Sequence, residues 1–143
     1  MINKLQQCMI LIDQANSADP NKTMVGGELI SNEVLYSQRM LLTLNAFDLT
    51  ASDALTLACY AQHVCRWVLA RRDFPAGLEG YLTWRKELAK SHAKILGDMM
   101  VQGGYTDDIV SRAQHIIQKR KLKSDAESQT LEDVSCLVFL NHY

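Results

Sequence analysis

Four side chains of the types that bind divalent metals are spread along this chain: Glu33, His63, His92 and Asp133. Each falls on a different predicted helix, and each has aromatic or cationic residues close by in the sequence. Side chains from separate helices can converge inside a helical domain, and two imidazoles with two carboxylates suit a divalent metal ion. The sequence therefore predicts one polar cluster with a divalent metal as its cofactor, and these ligand types leave the identity of the metal open.

A second group of residues combines planar cations with aromatic rings between positions 66 and 85: Arg66, Trp67, Arg71, Tyr81, Trp84 and Arg85. Arginine binds phosphate through paired hydrogen bonds, and aromatic side chains stack on bases. We expect these six residues to bind a phosphate-bearing small molecule such as a nucleotide. The alternative is that the arginines pack on the tryptophans as ordinary cation–π structure.

Each predicted metal ligand also has a structural interpretation. Glu33 lies near a helix start, where a carboxylate interacts favourably with the helix dipole. His63 can be a core or surface residue whose hydrogen bonds are satisfied, and His92 can have a capping or packing role. One carboxylate of the pair Glu132-Asp133 lies among apolar residues and needs a partner, which can be a metal or an arginine such as Arg39.

Length and composition limit the classes of protein to consider. The chain has 143 residues and a net charge of −1. This length predicts a single domain over residues 1–143, and the net charge provides no bulk attraction to nucleic acid. No apolar run approaches the roughly 20 residues that span a bilayer, and the apolar stretch at 8–12 is too short for a signal peptide. We expect a cytoplasmic protein with no membrane partner, and we expect all four cysteines, Cys8, Cys59, Cys65 and Cys136, to be buried thiols.

Apolar residues recur at helical spacing through most of the chain, which predicts an all-α fold of about six helices in a single compact bundle. Helix starts are expected at Ser31 or Asn32, at Ser52, at Thr106, and at Ser128 or Thr130. The first helix should end near Asn16, the helix with His63 at its middle should continue through Trp67, and a long helix should cover 81–102. Loops are expected at 22–27 and at 71–80, the second of them beside the site.

Several motifs of this chain resemble those of the domain of unknown function family 4202. They are Ile12 to Asn16 with Asp19-Pro20-Asn21, Glu33 to Met40, Ala61 to Trp67, Gly80 to Leu88 with His92-Ala93, and Leu131 to Leu140. The most specific segment is 129–140. Family members generally continue past the position of Tyr143, so the resemblance implies a carboxyl-terminal extension that is absent from this sequence.

The order of an acid or histidine, a second histidine and a late aspartate is also similar to the helical HD-type metal phosphohydrolases. That class places an aspartate directly after the second histidine, whereas Val64 follows His63 here. If the bundle is HD-like, His92 would have to supply the missing ligand.

Two functions from different classes follow from these residues. The first is metal-assisted hydrolysis of a phosphate-bearing substrate, in which the metal activates water and Arg66, Arg71 and Arg85 hold the phosphate. The second is a non-enzymatic module that binds a nucleotide, an RNA end or a protein through the Arg/Trp/Tyr surface. A purely structural cluster, with exposed helix faces forming a homodimer, is the third interpretation.

Overall fold

The computed structural model describes residues 2–143 and confirms the all-α prediction. Within those residues there are six α-helices and one small β-hairpin. In chain order the elements are α1 (Lys4–Asn16), β1 (Lys22–Val25), β2 (Glu28–Ser31), α2 (Asn32–Phe47), α3 (Asp53–Tyr60), α4 (Leu78–Gln102), α5 (Asp107–Ile117) and α6 (Ala126–His142).

Local capping explains where the helices begin. The Ser52 hydroxyl accepts the Leu55 N–H at 3.1 Å, so the predicted start of α3 is confirmed. The predicted start of α6 at Ser128 or Thr130 is wrong, because Asp125 provides the cap. One oxygen of its carboxylate accepts the N–H groups of Glu127 and Ser128, both at 3.0 Å. An aspartate is as good an N-cap as a serine, and this one lies one turn earlier.

The expected loop at 22–27 is part of an antiparallel hairpin, so this prediction is wrong. Strands β1 and β2 pair from Lys22 opposite Ser31 to Val25 opposite Glu28. Gly26 and Gly27 both have positive φ, at 57° and 85°, as a tight two-residue hairpin turn requires. The hairpin leads directly into α2 and brings Thr23 to the main cleft described below.

The helix expected to continue through Trp67 stops at Tyr60, so His63 does not lie at the middle of a helix. Residues 61–65 form a tight turn in which Cys65 has a left-handed φ of 53°. The side chain of Asn16, fully buried at the end of α1, accepts the Cys65 N–H at 3.0 Å. This bond from a distant part of the chain replaces a helical hydrogen bond and holds the turn.

One hydrophobic core is shared by all six helices, with fully buried side chains such as Ile12, Met40, Leu57 and Leu96. Cys8 and Cys59 are buried as expected. The prediction is wrong for Cys65, which is half-buried in the turn, and for Cys136, which is exposed on the outer face of α6. Among the described residues, no helix combines the length and apolarity needed to cross a bilayer.

Candidate functional site

A cleft of about 930 Å³, which we call the main cleft, opens between the helices. The lining side chains come from the hairpin, α2, α4 and α6, from the 61–65 turn and the short 3-10 helix that follows it at Arg66–Val68, from the end of α5 and the residues just after it, and from Tyr143. Five of them are cationic, and Glu33 is the one carboxylic acid among them. The cationic residues are Arg39, Arg66, Arg85, Lys86 and Lys119. Although the whole chain carries a charge of −1, this cleft concentrates positive charge.

Glu33 lies in the first turn of α2 and is fixed there by a buried aspartate. The Asp19 carboxylate accepts the Glu33 N–H at 3.1 Å, and Asp19 is 1% exposed. Ser31, the residue at the N-cap position, makes no side-chain capping bond, so Asp19 performs this role from a preceding loop. Burial, reinforced by the nearby Asp19, raises the pKa of the Glu33 carboxyl from 4.5 to about 7, although the positive charge of Arg66 opposes the shift.

His63 projects from the 61–65 turn between the fully buried residues Ala61 and Val64. Its ring stacks on Tyr36, with centroids 3.7 Å apart and an interplanar angle of 9°. The Tyr36 hydroxyl donates a hydrogen bond of 2.9 Å to the side chain of Gln62. The turn and α2 therefore hold the imidazole in a defined orientation.

Glu33 and His63 face each other in the main cleft, with Oε1 and Nδ1 3.4 Å apart. Burial holds the pKa of His63 well below its usual value of 6.5, and the positive charges of Arg66, Lys119 and Arg85 add to this effect. Near neutral pH the pair is therefore not an ion pair. His63 is neutral, and Glu33 is divided between its protonated and ionised forms.

His92 comes from the middle of α4 and is 6% exposed. Its ring centroid lies 6.5 Å from that of His63. Its Nε2 atom is buried without a hydrogen-bond partner among the described residues. Burial, with the neighbouring His63 and Arg66, lowers its pKa to about 3, so His92 is also neutral at physiological pH.

Aromatic rings support two of the cleft arginines from behind. The Arg66 guanidinium lies over the ring of Trp84, 5.4 Å from its centroid, and the Trp84 indole N–H donates to the Leu69 carbonyl at 2.7 Å. Arg85 donates to the Tyr81 hydroxyl at 2.8 Å. These rings orient the arginines while their charges face the cleft.

The other cleft cations differ in how they are paired. Lys119 lies 2.7 Å from Glu132 of α6 and has a left-handed φ of 55°. Arg39 lies over the ring of Tyr143, 5.3 Å from its centroid. Within residues 2–143, no carboxylate forms an ion pair with Arg39, Arg66, Arg85 or Lys86.

The structure brings together three of the four predicted metal ligands, Glu33, His63 and His92. Asp133 does not line the cleft; its carboxylate accepts a hydrogen bond from Gln129 at 2.8 Å. In the part of the chain that the structure describes, no group of three or more histidine, cysteine, aspartate or glutamate residues is arranged to hold a metal ion.

Of the six residues expected to bind substrate, only Arg66 and Arg85 line the main cleft. Tyr81 and Trp84 lie behind these arginines, and Trp67 lies outside the lining. Arg71 donates to the backbone carbonyls of Phe74, Pro75 and Gly77, so it holds its own loop together. That loop, expected beside the site, contributes no lining residue.

Several lining residues were missed in the sequence, among them Tyr36, Arg39, Lys119, Phe139 and Tyr143. Helical spacing contained a usable signal for Tyr36, which lies one turn after Glu33, and for Tyr143, which lies one turn after Phe139. Lys119 carried no such signal, because it follows the end of α5 and its position depends on the loop that joins α5 to α6.

The protein is thus a helical protein with a cleft that is rich in cationic side chains. This cleft, which surrounds the Glu33–His63 pair, is a candidate site for an anion. The sequence matches the family described as Domain of unknown function (DUF4202) over residues 6–143, and the chain belongs to that family. No curated protein and no solved structure matches it.

Proposed function

We propose that the main cleft binds a phosphate-bearing small molecule, such as a nucleotide. The observation that carries this proposal is the excess of cationic side chains over carboxylates in the lining, with four of the five cations outside any ion pair in residues 2–143. A concave surface lined by one sign of charge attracts ligands of the opposite sign. The cleft volume of about 930 Å³ lies in the range of roughly 300–1,000 Å³ that is usual for small-molecule sites.

Arg66 is the central residue of the proposed phosphate site. Its charge influences the pKa values of Glu33, His63 and His92, so its guanidinium lies near all three. A guanidinium can donate two parallel hydrogen bonds to phosphate, and Trp84 already limits its orientation. Arg85 and Lys119 then add positive charge around the same anion.

Calorimetric titration of the protein with inorganic phosphate, in chloride buffer of fixed ionic strength, tests the proposal. We expect saturable binding that weakens as the salt concentration rises. Arg66→Ala should weaken it at least about tenfold, since a hydrogen bond to a charged group contributes roughly 1.5–3 kcal/mol. Arg72→Ala is the matched control, because Arg72 is exposed and outside the cleft lining. No binding, or equal losses in the two variants, would contradict the proposal.

Metal-assisted hydrolysis of the bound phosphate ester is the second candidate function. A specific observation favours it: His63 and His92 are neutral, as metal ligands must be, and Nε2 of His92 has no partner among the described residues. Glu33 and His63, whose Oε1 and Nδ1 atoms lie 3.4 Å apart, would hold the metal together with His92.

In this candidate reaction, water adds its oxygen to phosphorus as the P–O ester bond breaks, and the leaving oxygen takes up a proton. A bound metal would lower the pKa of the attacking water. Arg66 and Arg85 would hold the phosphate and neutralise its developing charge. As a ligand of that metal, Glu33 would be ionised, because a bound divalent cation favours the carboxylate form.

Elemental analysis of untagged protein tests the metal candidate. We expect near-stoichiometric divalent metal in the wild type, its loss in a His63→Ala/His92→Ala double variant, and its retention in a His115→Ala control. A metal-free wild type that still binds phosphate through Arg66 would contradict metal-assisted hydrolysis. It would leave the non-enzymatic binding module that the sequence also predicts.

A further inference from the structure

A row of four aromatic rings crosses the main cleft. Tyr143 lies 6.5 Å from Tyr36, Tyr36 stacks on His63 at 3.7 Å, and His63 lies 6.5 Å from His92. Exposure differs sharply between the ends of this row, from 65% at Tyr143 to 6% at His92. The cleft therefore has a solvent-exposed outer end at Tyr143 and a buried inner end at His92.

Positive charge is concentrated toward the inner end. Arg66, Lys119 and Arg85 all lie near enough to His63 to lower its pKa. At the outer end, Arg39 lies over Tyr143. An anionic group on a ligand would accordingly be most stable beside His63, at the inner end.

The outer end instead carries two exposed aromatic side chains at the carboxyl end of α6. Phe139 and Tyr143 are four residues apart, so they are neighbours on the helix surface. They are 63% and 65% exposed, and both line the cleft. Two exposed rings at the mouth of a cationic cleft form a surface on which a planar ring can stack.

We infer that the ligand is a nucleoside phosphate that binds with its phosphate beside Arg66 and His63 and its base on Phe139 and Tyr143. This inference rests on the proposed function and adds the second half of the ligand. Inorganic phosphate or a sugar phosphate would occupy the inner end alone. The base site lies away from Trp67, Tyr81 and Trp84, the rings that the sequence singled out.

Four probes in the same calorimetric assay test this inference: inorganic phosphate, ribose 5-phosphate, and the 5′-monophosphates of adenosine and uridine. At least one nucleotide should bind about tenfold tighter than ribose 5-phosphate, because stacking a base on an aromatic side chain contributes roughly 1–3 kcal/mol. A Phe139→Ala/Tyr143→Ala double variant should remove that advantage and leave ribose 5-phosphate binding unchanged. Both side chains are mostly exposed, so the variant should fold.

Phe47→Ala is the matched control, because Phe47 is an exposed phenylalanine, at 50%, outside the main cleft. Nucleotides that bind no tighter than ribose 5-phosphate would overturn the inference and leave the proposed function standing. A nucleotide advantage that survives in the double variant would overturn the assigned base site. If no phosphate compound binds at all, both the inference and the proposed function fail.

Discussion

The main cleft and the contact between α5 and α6 both concentrate charged side chains, but they differ in whether their cations are paired with carboxylates. In the second region, which we call the Arg112 cluster (Arg112, Asp125 and Glu127), Arg112 binds Asp125 through two hydrogen bonds of 2.5 and 2.8 Å and Glu127 through one of 2.9 Å. Asp125 also caps α6. In the main cleft, Arg66 has a tryptophan ring behind it and no carboxylate partner in residues 2–143.

This difference separates a structural role from the binding role that we propose for the main cleft. A carboxylate held by an arginine and by helix N–H groups stabilises the fold, and the pKa of Asp125 accordingly lies far below its usual range. An arginine that faces a cleft without a carboxylate stabilises the fold little, and its hydrogen bonds remain for a ligand. Mutations in the Arg112 cluster should therefore lower stability, whereas mutations in the main cleft should weaken ligand binding.

The largest effect is expected for Asp125→Ala. This change removes both hydrogen bonds from Arg112 and the cap of α6, so the free energy of unfolding should fall by about 3 kcal/mol in urea denaturation. Asp133→Ala is the control on the same helix, because Asp133 accepts one bond from Gln129, and it should cost less than about 0.5 kcal/mol. Equal losses would show that the Arg112 cluster is not a stabilising unit.

Glu33→Gln should change how stability depends on pH. The pKa of Glu33 is about 7 in the folded protein and 4.5 ordinarily, so between these values the unfolded carboxyl loses a proton that the folded one keeps. Wild-type stability should therefore fall, relative to the variant, as the pH rises from 4.5 to 7, by about 2–3 kcal/mol in total. Denaturation curves at several pH values measure this difference.

For His92→Asn, the expected change in the pH dependence of stability has the opposite direction. The pKa of His92 is about 3 in the folded protein and 6.5 ordinarily, so below pH 6.5 the unfolded imidazole binds a proton that the folded one does not. Wild-type stability should fall, relative to this variant, as the pH decreases from 6.5 toward 3. Parallel pH trends in the two variants would contradict the assignment of a protonatable Glu33 beside neutral histidines.

Arg66→Ala and Arg112→Ala should have opposite consequences. The first should weaken phosphate binding about 30-fold, equivalent to about 2 kcal/mol, and change the free energy of unfolding by less than about 1 kcal/mol. The second should lower stability and leave phosphate binding unchanged. Calorimetry and urea denaturation of both variants measure the four quantities. A variant that loses both phosphate binding and stability would contradict the separation of a binding cleft from a structural cluster.

The smallest effect is expected for Lys119→Ala. Lys119 lines the cleft as Arg66 does, but it is already paired with Glu132. We expect a loss of about threefold in phosphate binding and less than about 1 kcal/mol in stability, because partly exposed ion pairs contribute little. A loss as large as that of Arg66→Ala would mean that pairing with a carboxylate does not decide which cations serve the ligand.

Local patterns were sufficient to predict much of the fold. Helical periodicity gave the all-α class, and Ser52 marked the start of α3 correctly. The sequence also contained a signal for the hairpin, because Gly26-Gly27 lies between two short runs that contain strand-forming residues, Thr23 to Val25 and Leu29-Ile30. The start of α6 was misplaced because serine and threonine were considered as caps and the earlier Asp125 was not.

The positions of the site residues depend on contacts between distant parts of the chain, which local sequence patterns do not reveal. The end of α3 depends on Asn16, which accepts the Cys65 N–H across 49 positions of sequence. His63 and Glu33 were predicted to lie together and do so, whereas Asp133 points to Gln129. Polar and apolar residues are mixed along α6, so periodicity does not show which of its faces meets the cleft.

Long-range proton–nitrogen NMR of the histidine side chains, recorded with and without inorganic phosphate, tests whether the main cleft binds phosphate beside His63 and His92. In the free protein at pH 6, His63 and His92 should give the signals of neutral imidazoles. On addition of phosphate, the ring nitrogens of His63 and His92 should shift, while those of His115, which lies outside the main cleft, should stay in place. Unchanged His63 and His92 signals at saturating phosphate, or a shift confined to His115, would contradict a phosphate site in the main cleft.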